Sequence, residues 1–320
     1  MEQPTWYDTF TDILYKKYPK RKQLMRALMD LLLLEREAVY RRLRKEVPFT
    51  IHEVATIASA WSISIDELLS VNTGKITFQM QCMSYIHPQK EEVNFLRFVI
   101  QSIQFLKDFP NTEFLDVCNK LPRQLIAGYE QINKFYLFKW MYLNRSEAES
   151  LPLSKIILSK EKQKITTEYN HAIKQVPNSN FIFDKRIFQN LVNDIQYFHS
   201  IYLITKEEKE LIKKEILVFL DYLLEVANKG YYPETKKKVN LYISQLEIST
   251  GYSYSSTPDI NMCFIHVFDK YEIYSSNSEM VTNFMNWMQL KKRASIQISE
   301  VDEKNRIEFF SKQKQIVETL

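Results

Sequence analysis

Glycine is nearly absent from this chain. Gly74, Gly128, Gly230 and Gly251 are the four in 320 residues, and none lies near another. Phosphate-cradling loops such as G-x-G-x-x-G or the Walker P-loop need several closely spaced glycines, so neither can be written here. A G-x-S-x-G nucleophile elbow is missing as well. Cysteine is equally sparse: Cys82, Cys118 and Cys263 are odd in number, far apart and without a C-x-x-C pair. That excludes a disulfide framework and a cysteine zinc site, and points to reduced thiols in a cytoplasmic protein. The five histidines (52, 87, 171, 199 and 266) form no H-x-x-x-H or H-E-x-x-H pair, so no metal and no cofactor is expected. Asp194 and His199 share a predicted helix, but a separation of five residues sets them about 140° apart around its axis, too far to act as acid and base. No basic-then-apolar leader opens the chain, and no apolar run approaches the ~20 residues of a membrane span. Neither an enzyme nor a membrane protein is expected.

What the chain does have is apolar and aromatic bulk, 45% and 13% of its residues, enough to bury large cores. A length of 320 residues corresponds to two domains at ~100–200 residues each. Over the first 72 residues the pattern is helical. Leu24, Ala27, Leu28 and Leu31 recur at i, i+3, i+4 and i+7, which predicts an amphipathic helix over 20–33. A cationic helix from Arg36 to Lys45 follows, with Val39 and Leu43 toward the core. Arg36, Tyr40 and Arg44 fall on another face, with Arg41 and Lys45 on its flank. Two further helix starts are specified twice over. Thr50-x-x-Glu53 is a capping box with Phe49 and Val54 as its hydrophobic staple, and Ser64-x-x-Glu67 repeats the device with Ile63 and Leu68. Between Tyr15 and Lys45, eleven Lys/Arg stand against three acids, a balance of +8, whereas the whole chain carries +4. A charge run alone is usually a solvated face. Concentrated on one element among these helix signals, it suits a phosphate-facing surface.

The stretch Ala38-Val39-Tyr40-Arg41-Arg42-Leu43-Arg44-Lys45 resembles the recognition helix of lambda-repressor-like (Xre/Cro-type) helix-turn-helix proteins. That family's pattern is a small residue, an apolar residue, Ser-Arg, two packing positions, then Arg-Gly. Residues 57–69 (I-A-S-A-W-S-I-S-I-D-E-L-L) are similar to the family's closing pattern. Lys45 stands where the family prefers a C-capping Gly, and Tyr40 where Ser is common. The resemblance covers roughly residues 6–72. It implies a DNA-binding domain, with Lys22, Arg36, Tyr40, Arg41, Arg44 and Lys45 as the DNA-contacting set. Tyr40 is equally suited to packing between helices.

The remainder reads as a second domain. Lys75–Ile86 alternates polar and apolar residues, as a strand or extended linker would. From Glu91 to Gly230 the period is helical. Segments centred on Phe95–Leu106, on an aromatic-rich stretch 123–143 and on 184–204 are followed by a helix opened by the Thr205-x-x-Glu208 box and closed at Gly230. The aromatic stripe is more in keeping with core than with a ligand pocket. Val239–Ser255 and Asn261–Ser276 read as two strands, followed by a helix (278–292), a strand (294–299) and a closing helix (302–320).

The expected fold is therefore multidomain and mainly α. It comprises an N-terminal all-α helix-turn-helix domain (1–74), a linker (75–91), and a regulatory or dimerisation domain (92–320), helical over 92–230 and α+β over 231–320. The expected function is a sequence-specific DNA-binding transcriptional regulator. Its partners would be double-stranded DNA, a second copy in a homodimer, and a small-molecule or protein effector on the C-terminal region, with no membrane partner. The alternative is a helical protein–protein interaction scaffold without DNA binding. An enzyme acting on nucleic acid is the weakest reading.

Overall fold

In a computed structural model, described over residues 5–61, 63–70, 76–80, 88–107, 109–144, 151–258, 261–268 and 271–320, the chain divides into two compact units. Unit 1 is Met1–Phe78 and unit 2 is Gln79–Leu320.

Unit 1 is built from five helices: α1 (Trp6–Lys17), α2 (Arg21–Leu32), α3 (Arg36–Leu43), α4 (Ile51–Trp61) and α5 (Ile65–Ser70). Local chemistry sets their starts. Thr5 and Asp8 form a reciprocal capping box on α1. On α4, the Thr50 N–H donates to Glu53 at 2.8 Å and the Glu53 N–H to Thr50 Oγ1 at 3.3 Å. The predicted second box needs Glu67, whose side chain lies outside the described residues; its staple partners Ile63 and Leu68 both pack in the core. That core draws Phe10 and Leu14 from α1, Leu24 and Leu28 from α2, Val39 and Leu43 from α3, and Val54 and Ile57 from α4. Two non-glycine residues take the left-handed conformation at helix ends, Leu33 (φ 53) after α2 and Lys45 (φ 63) after α3. Leu33 is 90% exposed, so the turn joining α2 to α3 is fixed by backbone geometry rather than by its side chain.

Unit 2 is organised by one eight-stranded sheet. Its strands are β1 (Gln79–Met80), β2 (Glu113–Cys118), β3 (Asn178–Phe183), β4 (Lys238–Ser244), β5 (Tyr252–Ser256), β6 (Asn261–Val267), β7 (Tyr271–Ser275) and β8 (Ser295–Gln297). They lie in the order β1-β7-β6-β5-β2-β3-β4-β8. β2, β3 and β4 are parallel, and every other pairing is antiparallel. The helices are α6 (Pro88–Leu106), α7 (Arg123–Ile126), α8 (Glu130–Asn144), α9 (Lys160–Ile173), α10 (Ile187–Ser200), α11 (Lys206–Lys229), α12 (Ser278–Arg293) and α13 (Glu303–Glu318). On one sheet face, Cys118, Phe181, Phe183, Leu241 and Ile243 pack against α8, α10, α11 and α13. On the other, Tyr252 meets Phe284 and Trp287 of α12. α11 begins and ends as its sequence dictates, with the Thr205–Glu208 capping box and Gly230 at φ 69.

This corrects the expected fold. Residues 92–230 are not a helical region followed by a separate α+β module, and the chain is not mainly α in plan. β2 and β3 lie inside the supposed helical stretch and form the middle of a mixed sheet that runs to residue 297. Their sequences, E-F-L-D-V-C and N-S-N-F-I-F, are six residues long and largely buried. Central parallel strands covered on both faces lose the period-2 alternation, and a short apolar run cannot be told from buried helix by periodicity. Val239–Ser255 is likewise two strands, β4 and β5, and Asn261–Ser276 is β6 and β7. The predicted helix 123–143 breaks into α7 and α8 around Gly128. Its aromatics Phe135, Phe138 and Trp140 are core. Of the predicted strand or linker 75–86, residues 79–80 pair with β7; 75 and 81–86 lie outside the described residues.

Leu43 is 5% exposed and helps pin α3 to the core. Leu43→Ala should cost unit 1 about 2–4 kcal/mol by loss of transfer energy and creation of a cavity. This will be read as an earlier urea midpoint for that unit, with the unit 2 transition unmoved.

Candidate nucleic-acid interface

α3 has eight residues, and its inward side is fully committed. Val39 and Leu43 are buried, and Arg42 turns the same way. Its Nε donates to Glu53 Oε2 at 2.9 Å, its Nη2 to Glu53 Oε1 at 2.8 Å, and its Nη1 to the Ala38 carbonyl at 3.1 Å. The two side chains are only 14% and 12% exposed. Glu53 therefore caps α4 and holds α3 with the same carboxylate. Burial pushes that carboxyl up, but the Arg42 guanidinium and the Thr50 N–H more than offset it and leave it below the usual glutamate range. Tyr7 of α1 adds a clasp: its hydroxyl donates to the Arg42 carbonyl at 3.4 Å and accepts from the Phe49 N–H at 3.0 Å.

With that side fixed, positions 36, 37, 40, 41 and 44 share the outward face, one turn and two turns apart. Arg36, Glu37, Arg41 and Arg44 are exposed, and Tyr40 is half-buried. The Tyr40 ring lies between two guanidinium groups, Arg21 at 5.0 Å and Arg44 at 5.4 Å from its centroid. Arg44 Nη1 also donates to the Tyr40 hydroxyl at 3.3 Å. The ring thus holds two cations side by side. Glu46 approaches Arg44 at 3.2 Å and Arg41 at 3.9 Å, all in solvent. The Lys45 ammonium is paired with Asp8, which holds the Asp8 carboxyl well below its ordinary range and raises the lysine.

The start of α2 adds more cations. Lys20 is its N-cap with no side-chain hydrogen bond, Arg21 and Lys22 are its first residues, and its first turn contains no acid. A helix N-terminus carries partial positive charge and free N–H groups, so three cations there are unfavourable unless an anion joins them.

Of the residues expected from sequence, Arg36, Tyr40, Arg41 and Arg44 come together on one face. Lys22 lies on α2, the helix whose Arg21 stacks on Tyr40, and Lys45 is turned to α1. Sequence reasoning missed Arg21, which meets Tyr40 across 19 residues, and it missed that Arg42 faces inward. The signal for Arg42 was its i+3 spacing from Val39, on the buried side of α3. In unit 2, Asp194 pairs with Lys139 at 2.8 Å, and His199 Nδ1 lies 2.8 Å from the Ile204 carbonyl. The two have separate structural partners.

Two helices joined by a three-residue turn, the second presenting a cationic face and backed by three more helices, have the arrangement of a helix-turn-helix motif. Residues 11–90 match the family model described as BetR domain, a helix-turn-helix-type DNA-binding family. No curated protein and no solved structure matches the chain. Among the described residues, no helix is long and apolar enough to cross a membrane.

Arg42→Ala should destabilise unit 1 by about 1–3 kcal/mol, since it leaves a partly buried carboxylate unpaired, whereas Arg41→Ala should leave stability unchanged. The Glu53 carboxyl titrates lower in the folded than in the unfolded chain. Its contribution is therefore complete above about pH 4.5 and is lost as pH falls through the depressed value. Urea midpoints at pH 7 and about pH 3 should accordingly show the gap between Arg42→Ala and wild type closing in acid.

Proposed function

We propose that this chain is a transcriptional regulator of the Xre/Cro type, which reads a specific duplex sequence with α3 while unit 2 serves dimerisation and signal sensing. The observation that carries the reading is the outward face of α3. Arg36, Arg41 and Arg44 project from it around a tyrosine flanked by two arginines, and the inward ion pair of Arg42 fixes its direction. Arginine is the side chain best suited to bidentate contact with guanine O6 and N7 or with phosphate. Glu37, on the same face, suits the cytosine amino group. The cation-rich start of α2 suits a DNA phosphate, whose charge would meet both the side chains and the free N–H groups.

Dimerisation follows from specificity. One short recognition helix reads a few base pairs at ~1–3 kcal/mol each, too little to select a site in a genome. Two copies about one DNA turn (~34 Å) apart on an inverted repeat supply the rest. Unit 1 spends its apolar residues on its own core, so the contacts between copies fall to unit 2.

The test is duplex binding by fluorescence anisotropy, with a site selected from a random pool. The triple variant R36A/R41A/R44A should lose binding at ~50 mM salt while keeping the wild-type circular dichroism and melting profile. Wild-type affinity should fall steeply between ~50 and ~200 mM salt as counterions compete for the phosphates. Wild-type protein without duplex affinity at the lower salt would refute the reading.

A further inference from the structure

Unit 2 has a polar cavity at the carboxyl end of β2, the edge where parallel strands of α/β sheets commonly hold ligands. The β2–β5 ladder ends at Val117 opposite Tyr252, and Cys118 and Gly251 are the next residues along the two chain segments. The His266 N–H donates to the Gly251 carbonyl at 2.9 Å, and His266 stands opposite Glu272. Gly251 makes room for the His266 ring, because a Cβ there would stand 2.4 Å from His266 Nδ1. An outer basin of about 390 Å³ and an inner recess of about 70 Å³ share Lys120, Tyr136, Gly251 and His266 as walls. The recess ends on Asp116, which follows from its i−2 relation to Cys118 on the same strand face.

Asp116 has no exposed surface, and neither of its oxygens accepts a hydrogen bond from a nitrogen or oxygen donor among the described residues. Its hydrogen-bonding neighbour is the weak donor Cys118 Sγ. Buried carboxylates are ordinarily paired or multiply hydrogen-bonded, so this one is an acceptor without a matching donor. Burial pushes its pKa up to about 6, with Glu272 adding to the rise while His266 and Lys120 draw it down. The recess it faces also has Lys120 in its wall.

We propose that this cavity binds a small zwitterion of the amino-acid class, its primary ammonium donating to Asp116 and its carboxylate directed to Lys120. The ammonium supplies the N–H donors that the buried carboxylate lacks. The basin beside it, with Tyr136 and Phe268 in its walls, has room for a side chain. This deepens the sensing role proposed for unit 2 and names its ligand class.

The test uses the full chain without DNA: thermal unfolding with each of the twenty amino acids at ~1 mM, and with putrescine as an amine lacking a carboxylate. At least one amino acid should raise the melting temperature of the unit 2 transition, as any ligand selective for the folded state must. D116N keeps the shape and removes the charge, and it should abolish the shift. G251A, whose Cβ would displace the His266 ring in the cavity wall, should weaken binding at least tenfold. K120Q should weaken the amino acid but not putrescine. No shift with any amino acid, or a shift retained in D116N, overturns the proposal. A shift with putrescine alone overturns it too, since the carboxylate would then play no part. Duplex affinity measured on the same samples separates the two readings. Intact DNA binding with no ligand shift removes this inference alone, and a ligand shift without DNA binding leaves the site standing while the regulator reading falls.

Discussion

An eight-residue helix does not persist in water on its own, because the cost of its first turn is barely recovered over so few hydrogen bonds. The direction in which α3 points therefore depends on what holds it from behind, and the directional part of that hold is the Arg42–Glu53 pair. Val39 and Leu43 supply burial, which is strong but non-directional. The two parallel N–H···O contacts from Arg42 fix rotation about the helix axis, since a guanidinium and a carboxylate meet well only in one plane. Glu53 is itself immobilised by its cap on Thr50, so α3 and α4 are referred to the same carboxylate. Lysine could not do this, having a point charge in place of a planar fork.

Unit 2 solves a different problem. Its three central parallel strands are covered on both faces, and the long antiparallel extension β5-β6-β7 carries the sheet outward until it meets the two-residue β1. At the other side it ends on β8, three residues long. Short edge strands limit the unpaired backbone available to another chain. Within the covered face the side chains are apolar from Phe181 to Ile243, and Asp116 interrupts them. A buried carboxyl without a nitrogen or oxygen donor costs stability, and positions that break the local rule are where function is expected.

How much of this could be read from sequence divides along local and non-local lines. The starts of α4 and α11, the stripe of α2, the outward Arg36–Tyr40–Arg44 line and the Gly230 cap were legible because each signal lies within one or two turns. β2 and β3 were not, because strands buried on both faces lack alternation and sit between long helical patterns. Arg21 on Tyr40 and Arg42 on Glu53 were not, because each pair is made by tertiary packing across a turn. The same holds for the cavity: Asp116 lies in β2, His266 in β6 and Gly251 just before β5, and no spacing in the chain connects them.

The ion pairs on the outward side of unit 1 bear on whether its cations are available. Arg41 and Arg44 both lie near Glu46, and Lys45 is paired with Asp8. Exposed pairs of this kind are worth ~0–1 kcal/mol and are screened by salt. Contact with a DNA phosphate is favoured differently, by release of condensed counterions at each neutralised charge. Glu46 therefore competes only weakly for the arginines. Arg42, desolvated and bound at two points, is not available in the same way. The division of labour among the arginines of α3 thus follows from solvent exposure: the inward one gives orientation, and the outward ones give charge that a polyanion can use.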